Sequence, residues 1–196
     1  MLVGVVLAGG LSTRMGIDKS TLRHPDSGLS LVDHARLSLM QAGANVTIVS
    51  SNQLPCMVAD KYPHLGPLSG IHGAFDHCNK TYPSTSGLLL LPVDMPRITA
   101  ALLASLYEQG KSRGKPCFYG RQFLPLYLPF SLAIFDYLEH TLEKGENTSI
   151  RAMLTGALAP VQLELPIVSE EAGVFININQ PNQWAAFQNT QLKSTP

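Results

Sequence analysis

The chain opens with a short apolar segment that runs directly into a pair of glycines. Val3 to Leu7 predict a strand buried on both faces, and Gly9 and Gly10 follow it. A strand that leads into a glycine-rich turn lets bare backbone N–H groups approach phosphate oxygens, and cations beyond the turn offset the phosphate charge. Arg14 and Lys19 supply such cations. The guanidinium of Arg14 can contact two phosphate oxygens at once, and the ammonium of Lys19 is a mobile point charge. The opening of the chain therefore predicts a phosphate-binding loop in an α/β fold.

Two familiar phosphate loops do not match this segment. The P-loop pattern needs a lysine directly after its second glycine, whereas Lys19 follows Asp18. The dinucleotide fingerprint G-x-G-x-x-G is absent. Residues Leu7 to Lys19, which we call the glycine loop, read L-A-G-G-x-S-x-R-M-G-x-D-K. This pattern resembles the signature loop of the molybdenum cofactor guanylyltransferases, a family of nucleotidyltransferases.

Length and composition predict one globular domain over residues 1–196. The chain has 196 residues, which is enough for one α/β core and too few for two. Its composition, 45% hydrophobic and 14% charged, is that of a globular protein. Its formal net charge is zero, so no charge pattern favours binding to nucleic acid or to an anionic membrane. No apolar run approaches the ~18 residues of a membrane helix. The three cysteines lack a C-x-x-C pair, which favours a reducing cytoplasm over a disulfide framework or a zinc site.

The first half of the chain alternates between strands and helices, which predicts parallel strand pairing through crossovers. The predicted elements are strands Val3–Leu7, Val46–Ser50 and Leu88–Leu91 and helices Leu31–Gln41, Ile71–His77 and Thr99–Gln109. Gly43 suits the end of the first helix, Thr99 caps the third, and Gly110 is its predicted end. Leu88 to Leu91 is the most hydrophobic run and predicts a central strand.

The second half is less regular in its patterns. The predicted strands are Cys117–Tyr119, Phe123–Leu128, Val161–Leu165 and Val174–Asn177, and the predicted helices are Ser131–Lys144, Ser149–Leu154 and one that begins at Pro181. Pro125 lacks a backbone N–H, which argues against its strand or places that strand at a sheet edge. Residues from Gln191 onward are predicted to fray.

Four polar segments follow predicted strands at their carboxyl ends. They are Gly9–Gly10, Ser50–Asn52, Asp94 and Asn177–Asn179. Ligands of open α/β sheets bind at this edge, near the point where the strand order reverses. We therefore expect the four segments to meet in one site.

The family resemblance implies roles for individual residues. Asp94 lies in P-V-D-M-P, which matches the family's P-x-D-x-P motif, and is implied to bind Mg²⁺; Lys19, Arg14 and Asp94 are the implied catalytic residues. The segment Gly66–Gly70 matches the G-P-L-x-G loop that approaches the base. The implied nucleotide-binding residues are Leu7, Ala8, Gly9, Gly10, Lys19, Asn52, Asp60, Gly66, Pro67, Leu68, Gly70 and Asp94. Asp60 could instead be a solvated loop carboxylate, and the choice between Ser50 and Asn52 stays open.

A late segment resembles the family's pterin-associated F-x-N-x-N-T-P pattern. It runs from Phe175 to Pro181 and implies acceptor binding by Asn177 and Asn179, although Gln180 replaces the usual threonine. A buried, satisfied asparagine pair is the alternative. The six histidines show no ligand spacing and are interpreted as surface or core residues.

The resemblance implies a Rossmann-like three-layer α/β/α nucleotidyltransferase fold with a mostly parallel twisted sheet. Its nucleotide-binding half would span about residues 1–110 and its acceptor-binding half about residues 111–190. The implied reaction transfers GMP from Mg·GTP to the terminal phosphate of molybdenum-bound molybdopterin. The implied setting is the cytoplasm, with GTP and the molybdenum cofactor as substrates and transient contact with molybdoenzymes or their chaperones.

Three other functions compete with this interpretation. They are a cytidylyltransferase acting on the same cofactor, a nucleotidyltransferase for a sugar phosphate or cobinamide phosphate, and a non-catalytic nucleotide-binding adaptor. The resemblance implies guanine over cytosine, because the similar cytidylyltransferases usually carry L-A-A-G, without the equivalent of Gly9, and lack the G-P-L-x-G pattern of Gly66–Gly70. Lys19 and Asp94 argue against an adaptor, because a protein that only binds nucleotide has no need of a metal carboxylate.

Overall fold

A six-stranded sheet with helices on both faces forms the core of the protein. The computed structural model describes residues 1–9, 22–52, 57–156, 158, 160–163 and 173–192. The strands are β1 (Leu2–Leu7), β2 (Val46–Ser50), β3 (Gly87–Pro92), β4 (Cys117–Tyr119), β5 (Gln122–Pro129) and β6 (Val161–Leu163). The helices are α1 (Leu31–Gln41), α2 (Pro67–Thr81), α3 (Ala100–Arg113), α4 (Leu132–Lys144), α5 (Ile150–Gly156) and α6 (Pro181–Leu192).

The sheet is mixed but mostly parallel, as predicted. Its strand order is β2-β1-β3-β5-β4-β6. β1 pairs in parallel with β2 and β3, and β4 pairs in parallel with β6, whereas β5 runs antiparallel to both of its neighbours. β5 is therefore the one described strand that runs against the others. Within the described residues, no helix is long and apolar enough to span a membrane.

The apolar strands fill two cores because successive side chains point to opposite faces. In β3, Leu88 and Leu90 join the core beneath α2 and α4, while Leu89 and Leu91 join the core beneath α1 and α3. β1 divides in the same way. Central strands buried on both faces therefore appear in the sequence as continuous apolar runs.

The ring of Tyr127 in β5 lies in a notch formed by two glycines. A side chain on Gly87 of β3 would approach the Tyr127 hydroxyl within 2.8 Å, and one on Gly110 of α3 would collide with the ring itself. Gly110 was predicted to end α3, but the helix continues to Arg113 and ends at Gly114 with a positive φ. The reason is packing: Gly110 is required inside the helix because the ring approaches too closely for any side chain.

Two further predictions are wrong, and one helix begins earlier than predicted. β5 is an interior strand despite Pro125, because its ladder with β3 stops at Leu126 and its pairing with β4 shifts register over residues 123–125. The predicted strand Val174–Asn177 is a turn followed by chain outside the sheet. α2 begins at Pro67 and not at the predicted Ile71, because a proline is well tolerated in the first turn of a helix.

Candidate active site

The carboxyl ends of three adjacent parallel strands are joined by backbone hydrogen bonds. Leu7 of β1 is the register partner of Ser50 in β2 and of Pro92 in β3. The Ala8 N–H donates to the Ser50 carbonyl oxygen at 3.0 Å, and the Val93 N–H donates to the Leu7 carbonyl oxygen at 3.1 Å. The start of the glycine loop, the end of β2 and the turn after β3 therefore lie side by side.

Gly9, at this edge, has open space around it as far as the described residues go. A side chain at Gly9 would meet no other described atom within 4 Å, and the residue does not have a positive φ. Neither backbone conformation nor packing against the described residues therefore requires a glycine here, whereas a ligand approaching the backbone would. The other predicted phosphate-binding residues of the loop, Gly10, Arg14 and Lys19, lie outside the described residues.

The turn that carries Asp94 is also joined to the late asparagine segment. The Ile178 N–H donates to the Asp94 carbonyl oxygen at 2.8 Å. Ile178 is 4% exposed, whereas Asn177 is exposed and Asn179 is half-buried. The exposure of Asn177 contradicts the alternative of a buried asparagine pair. All four predicted segments thus contribute described residues to one edge of the sheet.

Gln183 in the first turn of α6 fixes the backbone of the asparagine segment. Its side-chain oxygen accepts the Asn179 N–H at 2.7 Å and the Gln180 N–H at 3.0 Å. A glutamine that reaches back to the residue before the helix forms one half of a capping box. The other half needs a hydroxyl side chain in place of Gln180, and nothing in the structure explains its replacement.

Asp60 lies in a hydrogen-bonded cluster at the end of β2. The Asn52 side-chain amide donates to one Asp60 carboxylate oxygen at 3.0 Å, and the Ser50 hydroxyl donates to the other at 3.4 Å. The Asp60 N–H returns a bond to the Asn52 side-chain oxygen at 2.7 Å. Asp60 is therefore a held carboxylate and not a freely solvated one. Ser50 is 2% exposed whereas Asn52 is exposed, so of the two only Asn52 presents an accessible side chain.

The environment of Asp60 raises the pKa of its carboxyl group. Burial is the main cause, and the hydrogen bonds from Asn52 and Ser50 act in the opposite direction. A partly desolvated carboxylate is a stronger hydrogen-bond acceptor than one in bulk water. The cluster therefore offers an acceptor suited to the N–H groups of a base or to ribose hydroxyls.

The segment Gly66–Gly70 forms the cap and first turn of α2 and packs against this cluster. Gly66 has a φ of 78°, a conformation that favours glycine, and Pro67 begins the helix. A side chain on Gly70 would lie 2.5 Å from the Ser50 hydroxyl oxygen. The last glycine of the segment is therefore explained by close packing against the Asp60 cluster.

A stacked pair of histidines supports the other side of the Asp94 turn. The rings of His24 and His34 lie 3.7 Å apart at an angle of 9°, and His24 is 5% exposed. The His24 Nε2–H donates to the Pro96 carbonyl oxygen at 3.3 Å, while Nδ1 accepts the Asp26 N–H at 3.3 Å. This assignment follows because a carbonyl oxygen only accepts. The pair ties the segment after the glycine loop to the loop that carries Asp94.

Burial keeps this pair neutral, because it lowers the pKa of both rings. Burial is the main cause for each, and in His34 the neighbouring His24 adds to it and brings the pKa to about 4. The sequence interpretation gave these histidines no role. No motif joins positions 24 and 34, and only the fold brings them together beside the Asp94 loop.

Comparisons with known proteins agree with this geometry. A family model described as MobA-like NTP transferase domain matches residues 4–161. A molybdenum cofactor guanylyltransferase from Xanthomonas euvesicatoria is 33% identical over 184 residues, which cover 93% of this chain and 92% of that relative.

Two solved structures share the fold. Molybdopterin-guanine dinucleotide biosynthesis protein A from Archaeoglobus fulgidus has a TM-score of 0.75 and 21% identity, covering 98% of this chain and 100% of that one. Rv0371C from Mycobacterium tuberculosis, in complex with manganese, has a TM-score of 0.60 and 17% identity, covering 96% and 97%.

Proposed function

Because the chain belongs to the MobA-like NTP transferase family, and is therefore a nucleotidyltransferase, we propose that it transfers GMP from GTP to molybdenum-bound molybdopterin. An oxygen of the acceptor's terminal phosphate attacks the α-phosphorus of GTP, and the bond from that phosphorus to the β-phosphate oxygen breaks. Pyrophosphate leaves, and the guanine dinucleotide cofactor remains. The observation that carries the proposal is the meeting of Asp94, the glycine loop and the Asp60 cluster at one edge of the sheet.

The nucleoside of GTP lies on the β2 side of the glycine loop in this proposal. Asp60 and Asn52 bind the base or ribose, because they form the polar cluster at the end of β2. The first turn of α2 covers the nucleoside. The residues of that turn are Gly66, Pro67, Leu68 and Gly70.

The triphosphate lies across the glycine loop. Backbone N–H groups over Leu7 to Gly10 approach its oxygens, and the open space at Gly9 supports this approach. Arg14 and Lys19 neutralise its charge and stabilise the charge that develops in the transition state. No protein nucleophile is needed, because the acceptor phosphate is itself the nucleophile.

Asp94 is the proposed ligand of Mg²⁺. Magnesium in proteins is held by one or two carboxylates together with substrate phosphates and waters, and the half-buried Asp94 beside the glycine loop fits this donor set. When bound, the ion neutralises phosphate charge and orients the leaving group. The chain's own part is to fix Asp94, through the hydrogen bonds of Val93, Ile178 and Pro96 that hold its turn.

The acceptor lies on the other side of Asp94. Asn177 and Asn179 bind it, supported by the bond from Ile178 to Asp94. This division assigns residues 1–110 mainly to the nucleotide and residues 111–190 mainly to the acceptor. The proposal includes a cytoplasmic location, transient contact with molybdoenzymes or their chaperones, and no nucleic-acid or membrane partner.

A pyrophosphate-release assay tests the proposed function. The purified protein receives molybdenum-loaded molybdopterin with GTP, CTP or ATP, each with and without Mg²⁺. We expect release with GTP that depends on Mg²⁺. Preference for CTP would make the protein a cytidylyltransferase, and turnover only with a sugar phosphate or cobinamide phosphate would replace the acceptor. GTP binding without pyrophosphate release would show an adaptor.

A further inference from the structure

The segment that carries Asp60 is a loop with no strand or helix of its own. Residues 59–66 lie between the end of the β2 region and α2, and none of them belongs to a strand or a helix. On one side, hydrogen bonds from Asn52 and Ser50 tie the Asp60 carboxylate to the end of β2. A binding group keeps its geometry only when neighbouring contacts lock it in place. The position of Asp60 therefore depends also on what holds the residues that follow it.

Helix α4 holds the two residues that follow Asp60. The Lys61 ammonium donates to the Glu139 Oε1 atom at 2.6 Å. One turn further along the same face of α4, the Glu143 carboxylate accepts the Tyr62 hydroxyl at 3.4 Å. These contacts join residues that are 78 and 81 positions apart in the chain. The loop is therefore fixed on its far side by a helix from the second half of the protein.

The same face of α4 packs against a buried histidine of α2. His72 is 1% exposed, and its ring stacks on Phe135 at a centroid distance of 5.0 Å and meets the Tyr62 ring edge to face at 5.3 Å. Neither ring nitrogen has a hydrogen-bond partner among the described residues, and Nε2 lies 3.9 Å from the Glu139 carboxylate, which is too far for a hydrogen bond. Burial lowers the pKa of His72, so the ring is neutral at pH 7. Lys61 is therefore the cation that pairs with Glu139.

The ion pair between Lys61 and Glu139 fixes position more than it adds stability. The two side chains are 57% and 33% exposed, and exposed ion pairs stabilise a fold little because water screens them. The pair between Lys80 and Asp76 has the same length, 2.6 Å, but joins residues four apart within α2. That pair cannot orient one element against another. The pair between Lys61 and Glu139 can, because it links a loop to a helix.

We propose that Glu139 is a positioning residue of the nucleotide site. By holding Lys61, it fixes the loop so that the Asp60 carboxylate faces the base or the ribose of GTP. Glu139 itself does not touch the nucleotide. The inference rests on the proposed function, because it assumes that Asp60 binds the nucleoside. It also makes α4, which lies in the half assigned to the acceptor, a support of the nucleotide site.

Calorimetric titration with GTP tests the inference without requiring turnover. Glu139→Gln removes the carboxylate charge and keeps the size of the side chain, whereas Lys61→Met removes the ammonium and keeps an apolar chain. A double variant, Lys61→Glu with Glu139→Lys, restores the attraction with the charges exchanged. Asp76→Asn is the matched control, because it breaks an ion pair of the same length within α2. Thermal melting verifies that each variant is folded.

We expect Glu139→Gln and Lys61→Met each to weaken GTP binding about threefold to fivefold, the upper range of what an exposed ion pair can contribute. The exchanged pair should bind GTP within about twofold of the original protein, and so should Asp76→Asn. In a protein that already carries Asp60→Asn, Glu139→Gln should cause no further loss, because both changes act through the same carboxylate. In steady-state turnover, Glu139→Gln should raise the KM for GTP and leave kcat unchanged.

Three results would overturn the inference and leave the proposed function standing. Single variants that bind GTP as the original protein does would show that the pair positions nothing. An exchanged pair that still binds weakly would show that Lys61 itself contacts the nucleotide. A further loss in the Asp60→Asn protein would show that Glu139 does not act through Asp60.

The same titrations with CTP separate this inference from the proposed function. A protein that prefers CTP, and loses CTP affinity in both single variants, would refute the proposed function and leave the role of Glu139 standing. A protein that binds neither nucleotide would overturn both.

Discussion

The two sides of the carboxyl end of β1 are organised in opposite ways. On the β2 side, the polar side chains of Ser50, Asn52 and Asp60 bond to one another. On the β5 side, the side chains of Arg151 and Asn177 have no hydrogen-bond partner among the described residues, and Phe123 is partly exposed. One side is already arranged before a ligand arrives, whereas the other presents side chains that are free to move.

This contrast predicts different energetics for the two substrates. A prearranged cluster loses little conformational freedom when a ligand binds, whereas exposed side chains must be ordered at that moment. We therefore expect nucleotide to bind in the absence of the acceptor, and acceptor affinity to depend on a few contacts that form on binding. The following predictions test this contrast, beginning with the residue that lies between the two sides.

Asp94→Asn should have the largest effect, because it removes a charge from the point where we propose that both substrates meet. We expect the rate of pyrophosphate release to fall by about 10²–10³-fold, the range for loss of one electrostatic contact to a transition state, and Lys19→Ala to fall as far. GTP affinity measured without metal should change little. Asp33→Asn, in the first turn of α1, is the matched control. Near-normal turnover of Asp94→Asn would refute the metal assignment.

Asp60→Asn should weaken the binding of GTP on the β2 side while leaving the binding of the acceptor on the β5 side unchanged. Loss of hydrogen bonds to a charged acceptor contributes about 1.5–3 kcal/mol, so we expect GTP to bind about 10-fold to 100-fold more weakly. Pterin affinity should not change. Asp76→Asn on α2, whose carboxylate pairs with Lys80, is the control. Equal losses for both ligands would contradict the division of the site.

The same variant should melt at a higher temperature at neutral pH. The pKa of Asp60 is raised by burial, so its contribution to stability is present at low pH and is lost as the pH rises through the folded-state pKa. The ionised carboxylate is thus held at neutral pH for binding and not for stability. Thermal melting of the variant and of the original protein at pH 5 and pH 8 checks this, and a variant that melts below the original protein at pH 8 would contradict it.

Lowering the pH should destabilise the histidine pair that holds the Asp94 turn. Burial lowers the pKa of His24 and of His34, the latter from 6.5 to about 4, so the unfolded chain takes up protons first. This stability is fully present above about pH 6.5 and is lost as the pH falls toward 4. Melting temperature measured across this range should decline less in a His24→Gln/His34→Gln variant. An equally steep decline would assign the effect to other groups, such as His72, whose pKa burial also lowers.

Gly70→Ala should have the smallest effect, confined to the β2 side. The new methyl group would lie 2.5 Å from the Ser50 hydroxyl oxygen, which must rotate away from Asp60. The bond lost is long, 3.4 Å, so we expect GTP affinity to fall only about twofold to fivefold. Adding Ser50→Ala should then cause no further loss, because both changes remove the same bond. Additive losses would show a different cause.

The sequence predicted those features whose cause is local. α1 spans its predicted range, and Thr99 and Ser131 cap α3 and α4 through hydrogen bonds to the backbone. These features depend on side chains within a few residues of each other. The meeting of the first three polar segments was also predictable, because parallel strands share one carboxyl edge.

The features that the sequence did not predict depend on contacts between distant residues. Gly110 looks like a helix end, and only the ring of Tyr127 explains why a glycine lies inside α3. The stretch after Gly173 alternates like a strand, but Ile178 bonds to Asp94 and not to a neighbouring strand. A cavity lined by Pro67, Phe123 and Arg151 has no motif at all, because its residues come from three separate parts of the chain.

The Tyr127 ring fixes the two elements that the Asp94 loop connects. The loop joins β3 to α3, and the same ring fills the glycine notch in each of them. Neither the strand nor the helix can slide past β5 without driving a backbone into that ring. An insertion or deletion between Pro92 and Thr99 must therefore change the path of the loop itself. The length of this segment thus determines where Asp94 lies in the candidate active site.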